Sequence, residues 1–137
     1  MSLWLAKTEP ESFSYSDLER LQRDMWDGVR NFTAAKHLGG MRPGDQVLIY
    51  HSVSEKAIVG VAEVVSQPYP DPTADDIRFV TVDMIPKYRL PRPVTLSEIK
   101  AIPDFAEWEL VRQSRLSVMP VSEKRWQLIM KLANQSS

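Results

Sequence analysis

A chain of 137 residues with 43% hydrophobic and 26% charged side chains and a net charge of −1 has the balance of one globular domain with its own core. That charge excludes a bulk polycation that coats nucleic acid or anionic membranes by charge alone. Cysteine is absent and only 2 histidines are present, which excludes a disulfide framework, thiol catalysis, cysteine-ligated zinc or iron–sulfur clusters and a histidine-rich metal centre.

Leu3 to Ala6 reads as a short buried strand, closed by Thr8-Glu9-Pro10. Ser12 to Asp24 has helical spacing, with Leu18, Leu21 and Met25 as an apolar stripe. Either Ser14 with Asp17 or Ser16 with Glu19 supplies a capping box. Trp26-Asp27-Gly28-Val29-Arg30 breaks the pattern as a loop, and Asn31 caps a second helix, Phe32 to Leu38, stopped by Gly39-Gly40. Arg42-Pro43-Gly44-Asp45 is a turn. Gln46 to His51 and Ala57 to Val65 form an antiparallel hairpin turned at Ser54-Glu55-Lys56.

Gln67 to Asp76 is rich in Pro and Asp and is expected to be an exposed loop. Arg78 to Leu90 has a long strand pattern in which Pro86 requires an edge, a bulge or a break, and Pro91 to Pro93 is expected to be loop. Thr95 or Ser97 opens a short helix ended by Pro103. Leu116 to Val118 is a further strand. Ser122 caps a last helix with Trp126, Ile129, Met130 and Ala133 on one face, and residues 134–137 are expected to fray. Strands at short spacing with short helices between them point to an α+β domain, most economically a small, mostly antiparallel barrel without exposed edges.

No run approaches the length of a membrane span, and Met1 to Lys7 lacks the basic start and long apolar middle of a secretory signal, so the expected compartment is the cytoplasm. No phosphate loop, nucleophile elbow or histidine pair at ligand spacing occurs. His51-Ser52 resembles a base and nucleophile, but neighbours on a strand point to opposite faces. Lys7-Thr8-Glu9 at a strand end reads as a solvated loop or as a lysine tuned by a nearby acid. His37, beside Lys36, reads as a surface histidine.

Trp26 is the most informative side chain. A loop tryptophan packs on the core, or it stacks on a flat base; the residues alone leave both open. Gly28 permits close backbone approach, Arg30 can pair with phosphate or stack, and Asn31 offers a donor and an acceptor. Basic residues recur in loops at Arg30, Lys36, Arg42, Lys87, Arg89, Arg92, Arg112 and Arg115, while Asp71, Asp75 and Asp76 cluster elsewhere, compatible with one positive face.

Five stretches together resemble the EVE domain family, a branch of the PUA-like superfamily related in shape to the YTH readers of methylated RNA. They are Trp4-Leu5-Ala6-Lys7-Thr8-Glu9-Pro10, Trp26-Asp27-Gly28-Val29-Arg30-Asn31, the run Met41 to Ser52, the run Ile58 to Val64, and the run Arg115 to Val121. They occur in family order and cover nearly the whole chain; Phe32 departs where a tyrosine is more usual. The resemblance implies a single domain over 1–133, a PUA-like barrel with helices packed around it, and a pocket for a flipped, modified base. That base is a modified cytosine or adenine, in DNA or RNA. Carried over by position, the pocket comprises Lys7, Trp26, Arg30, Asn31, His51, Ser52, Leu116, Ser117 and Met119. Trp26 is the wall, Leu116 and Met119 are apolar contacts, and Asn31, Ser52 and the Ser117 backbone read the base edge. Lys7 and Arg30 meet phosphate or polar substituents.

The expected function is thus a non-enzymatic binding module for nucleic acid carrying modified bases, without cofactor, metal or membrane partner, taken as a monomer. Two other readings stand beside it. One is a small hydrolase of modified nucleosides using Lys7, Thr8 and Glu9 or Glu63. The other is a protein-interaction barrel, for which Trp26 would be sealed within a filled core.

Overall fold

β1 (Leu3–Thr8) lies inside the sheet, parallel to β3 (Gln46–His51) on one side and antiparallel to β8 (Val118–Pro120) on the other. The computed structural model describes residues 1–135. β4 (Ala57–Val64) pairs antiparallel with β3, as the hairpin pattern predicts. β7 (Asp83–Thr95) continues the sheet from β4, and the two-residue β2 (Asp24–Met25) closes that side. The order is β2-β7-β4-β3-β1-β8, a mixed, mostly antiparallel sheet curved into a half-barrel. It leaves its two edges to strands of only two and three residues, which is how short strands blunt an edge that full closure would remove.

The curvature has a local cause. The register between β4 and β7 shifts twice, between Ile58 and Gly60 and between Val61 and Ala62. Bulges of this kind bend a strand and increase its twist. Pro86 pairs opposite Ala62 at one shift, while Pro91 and Pro93 lie in the surplus between Arg89 and Val94 at the other. β7 therefore runs through the segment expected to be loop. Beyond Met84 that edge of β7 has no β2 neighbour, the edge and bulge setting to which strand prolines are confined.

Gly60 admits the ring of Tyr15. A Cβ there would lie 2.2 Å from Tyr15 Cε1. The Tyr15 hydroxyl donates to the carbonyls of Val61 (2.7 Å) and Tyr88 (3.0 Å), tying α1 (Tyr15–Leu21) to the bulged strands. This helix is shorter than its spacing predicts. Of the two candidate capping boxes Ser14–Asp17 forms, and Gln22 at φ 68° ends the helix, freeing Asp24–Met25 to become β2.

α2 (Phe32–Gly39) is capped by Asn31, whose Oδ1 accepts from Ala34 N (3.0 Å). The loop expected over 67–76 contains β5 (Tyr69–Pro70), which pairs with β6 (Val80–Thr81) as a separate two-stranded arm. The strand expected from Arg78 is thus divided between that arm and β7. α3 (Leu96–Lys100) is capped by Thr95, and Pro103 opens a single 3-10 turn. α4 (Glu109–Arg112) is a short helix that the sequence pattern does not reveal. α5 (Glu123–Ala133), capped by Ser122, buries Trp126, Ile129 and Ala133 and packs along β7. Asn134 closes α5, its side chain donating to the Met130 carbonyl (2.7 Å); of the tail expected to fray, residues 136 and 137 lie outside the described residues.

Candidate functional site

A cavity of about 460 Å³ opens between the end of β1 and the loop Trp26–Arg30. Lys7, Thr8 and Ser117 line one side; Trp26, Asp27, Gly28, Val29 and Arg30 line the other. Asp24, Met25, Ser12 and Phe13 complete it.

Each side has a structural cause. The Lys7 N–H donates to the Ser117 carbonyl (2.8 Å), extending the β1–β8 ladder and bringing Ser117 to the cavity. Lys7 Nζ donates to the Ser114 carbonyl (2.9 Å) and lies 5.7 Å from the Tyr50 ring centre. Burial lowers its pKa from the ordinary lysine value. Trp26 is 7% exposed, its N–H donates to the Val82 carbonyl (2.9 Å), and its ring meets Phe13 edge to face at 6.0 Å. Trp26 belongs to the core by its packing and is also among the residues that line the cavity.

Asp71 organises the loop. Its side chain has no solvent exposure, and its carboxylate accepts from Gly28 N (2.8 Å), Thr73 N (2.7 Å), Thr73 Oγ1 (2.6 Å) and Arg30 Nη1 (3.1 Å). Burial pushes its pKa up, but the hydrogen bonds from Thr73, Gly28 and Arg30 outweigh it and hold the pKa at about 2. Gly28 stands at φ 84°, a conformation that L side chains rarely adopt, and this turns its N–H toward the carboxylate. The expectation that acidic and basic residues segregate is corrected here. Asp71 pairs with Arg30, Asp76 with Arg78, Glu63 with Lys87, Glu19 with Arg89 and Glu98 with Arg92. Glu107 likewise meets Arg112. Five of the eight expected cations, Arg30, Lys87, Arg89, Arg92 and Arg112, thus sit beside carboxylates.

Of the nine residues expected in the site, Lys7, Trp26, Arg30 and Ser117 meet at this cavity. Asn31 and Leu116 line a separate hollow of about 310 Å³ with Arg112 and Arg115, because the Asn31 side chain is turned to its capping role. His51 is 5% exposed and holds the start of α1: Tyr15 N–H donates to its Nε2 (3.0 Å). That leaves the proton on Nδ1, which meets Glu55 Oε1 (2.8 Å). Ser52 bonds to the Thr8 carbonyl through its N–H (2.9 Å) and hydroxyl (3.2 Å). Met119 is fully buried opposite Leu5 in the β1–β8 pair. His51, Ser52 and Met119 thus do not line the cavity. His37, expected at the surface, is half-buried 6.0 Å from the Trp4 ring.

Of the hydrolytic set, Lys7 and Thr8 both line the cavity, with the Thr8 hydroxyl donating to the Phe13 carbonyl (2.6 Å), while Glu63 is held by Lys87 (3.2 Å) away from that lining. Asp71 and Asp27 are the site residues that sequence reasoning left out. Asp71-Pro72-Thr73 carries the signature of a side-chain-capped turn, a signal that marks the turn but not its contact with Gly28. Among the described residues, no cluster of three or more metal-ligating side chains occurs, and no helix is long and apolar enough to cross a membrane.

Comparison with known proteins bears on this geometry. The model of the EVE domain matches residues 2–132. Thymocyte nuclear protein 1 of Gallus gallus is 30% identical over 96% of this chain and 69% of its own length. The NMR structure of a Rhodopseudomonas palustris protein is 41% identical, with a TM-score of 0.91 over 97% of this chain and 93% of that one. The crystal structure of human THYN1 protein in complex with DNA containing 5-methylcytosine is 27% identical, with a TM-score of 0.92 over 100% of both chains. With a half-barrel of this topology and a family match that spans nearly all of it, the chain belongs to the EVE domain family.

Proposed function

We propose that the cavity receives one base turned out of a nucleic-acid strand and that the protein is a binding module for modified bases. One observation carries the reading: Trp26 lines one open cavity together with the cations Lys7 and Arg30. The human relative solved with DNA containing 5-methylcytosine supports it and makes that base the first ligand to test.

Extruding a base from a duplex costs a few kcal/mol. Stacking on an aromatic wall returns about 1–3 kcal/mol per base. Lys7 meets a phosphate of the strand at the cavity, while Arg30, already paired with Asp71, offers its flat guanidinium there. The Asp27 carboxylate is exposed at the cavity and suits the exocyclic amino group that cytosine and adenine both carry. Ser117 and Thr8 offer short polar contacts to the remaining edge. A methyl group is then sensed by how well it fills the space beside the indole.

The test is fluorescence titration with paired oligonucleotides that differ only in 5-methylcytosine. Trp26→Phe is the informative variant. Trp26→Ala would also empty core space beside Phe13, at about 3–5 kcal/mol of stability. The wild type is expected to prefer the methylated strand by about tenfold or more. Trp26→Phe should lose most of that affinity while melting as a folded protein. Equal affinity for both strands, or no loss in the variant, overturns the reading.

A further inference from the structure

Four flat groups lie one on another, beginning at the cavity wall. The Arg30 guanidinium carbon is 5.5 Å from the centre of the Phe79 ring. Phe79 stacks on Phe32 with centres 4.9 Å apart and planes 13° from parallel. The Arg78 guanidinium carbon is 4.6 Å from the Phe32 centre. The outer end is open to solvent: Phe79 is half-buried between Arg30 and Phe32, while Phe32 is 54% exposed and the Arg78 side chain 70%.

Both cations are already neutralised. Asp71 pairs with Arg30 at 3.1 Å, and Asp76 holds Arg78 at 2.6 Å with a further contact to its Nε (3.1 Å). A guanidinium fixed by its fork and backed by a ring presents a flat, weakly hydrated face. Such a face suits a heteroaromatic ring better than a phosphate, which seeks free charge. A phenylalanine more than half exposed at the first position of α2 also adds little to the core.

We propose that the outer end of this stack, Arg78 backed by Phe32, is a platform for the base next to the captured one in the same strand. Arg30 belongs to both the stack and the cavity, so a strand with one base in the cavity passes along the platform. This inference rests on the reading of the cavity as a base pocket. It adds a second contact that only an oligonucleotide can make.

The experiment compares two probes, the free nucleoside 5-methyl-2′-deoxycytidine and a single-stranded heptamer centred on the same base. The variants are Arg78→Ala, Arg78→Lys and Phe32→Leu. All three are expected to weaken heptamer binding by about 5- to 150-fold, the range for one stacked base, and to leave nucleoside binding within about twofold. Removing the base on one side of the methylcytosine as an abasic site should weaken the wild type by the same factor and leave Arg78→Ala indifferent. Arg78→Lys binding as tightly as the wild type would assign the effect to charge and overturn the platform. So would variants that bind the heptamer unchanged, or that weaken both probes alike. A wild type that binds neither probe sinks the pocket itself, and the platform with it.

Discussion

Asp71→Asn is the sharpest perturbation of the site, because one buried carboxylate holds the loop that carries Trp26 and Arg30. Its pKa falls from 3.8 to about 2 in the folded protein. At about 1.36 kcal/mol per pKa unit, that shift corresponds to stability on the order of 2–3 kcal/mol at neutral pH. A hydrogen-bond count gives a similar figure. Asparagine keeps one oxygen for Thr73 but sets an amide N–H against the donors of Gly28 and Arg30. A buried donor without a partner costs about 1–3 kcal/mol. For a chain of this length the loss lowers the melting temperature by about 6–12 °C.

The pH dependence follows from the sign. A depressed folded pKa means that the unfolded chain takes up the proton first on acidification. The contribution is complete well above pH 4, falls to about half near pH 3, and vanishes below about pH 2. The gap between wild type and variant, followed by circular dichroism melts, is therefore expected to be equal at pH 7 and pH 6 and to narrow by pH 3. A variant melting within about 2 °C of the wild type at pH 7, or a gap unchanged at pH 3, refutes the role given to Asp71.

Gly60→Ala places a methyl 2.2 Å from Tyr15 Cε1 and 2.6 Å from Cδ1 and Cζ. The ring cannot retreat without giving up its bonds to Val61 and Tyr88, so the cost is expected to exceed the ~1–3 kcal/mol of ordinary overpacking. A urea midpoint equal to that of the wild type rules this out, and Tyr15→Ala in the same chain should recover part of the loss. His51→Ala removes the acceptor of the Tyr15 N–H and should lower stability by about 1–3 kcal/mol. Its affinity for the methylated strand, measured below the melting range, should stay at the wild-type level; a large loss there would return His51 to the pocket.

The local rules were legible where one short stretch decides the outcome. Asn31 and Ser122 cap helices because their side-chain oxygens meet backbone N–H groups three residues on. The Gln46–His51 and Ala57–Val64 hairpin follows from β-branched runs bounded by a turn. The motif carrying Trp26 marked the loop and the family, and it led to the cavity. Pro86 required an edge, a bulge or a break, and a register shift lies there.

The rest depended on partners distant in the chain. Nothing near Leu3 states that β1 pairs parallel with β3, more than forty residues away, because register is set by which faces bury together. His51 and Met119 have residue types that suit a pocket, yet packing assigns one to the start of α1 and the other to the core. Asp71 looked like part of an acidic loop, and only the fold brings its carboxylate to Gly28 and Arg30. Sequence determined the helix caps and the β3–β4 hairpin, since those rest on neighbours within a few residues, and the family through stretches spread along the chain. Tertiary structure alone decided which side chains face the cavity, because burial and long-range hydrogen bonds select one orientation from several that the local backbone allows.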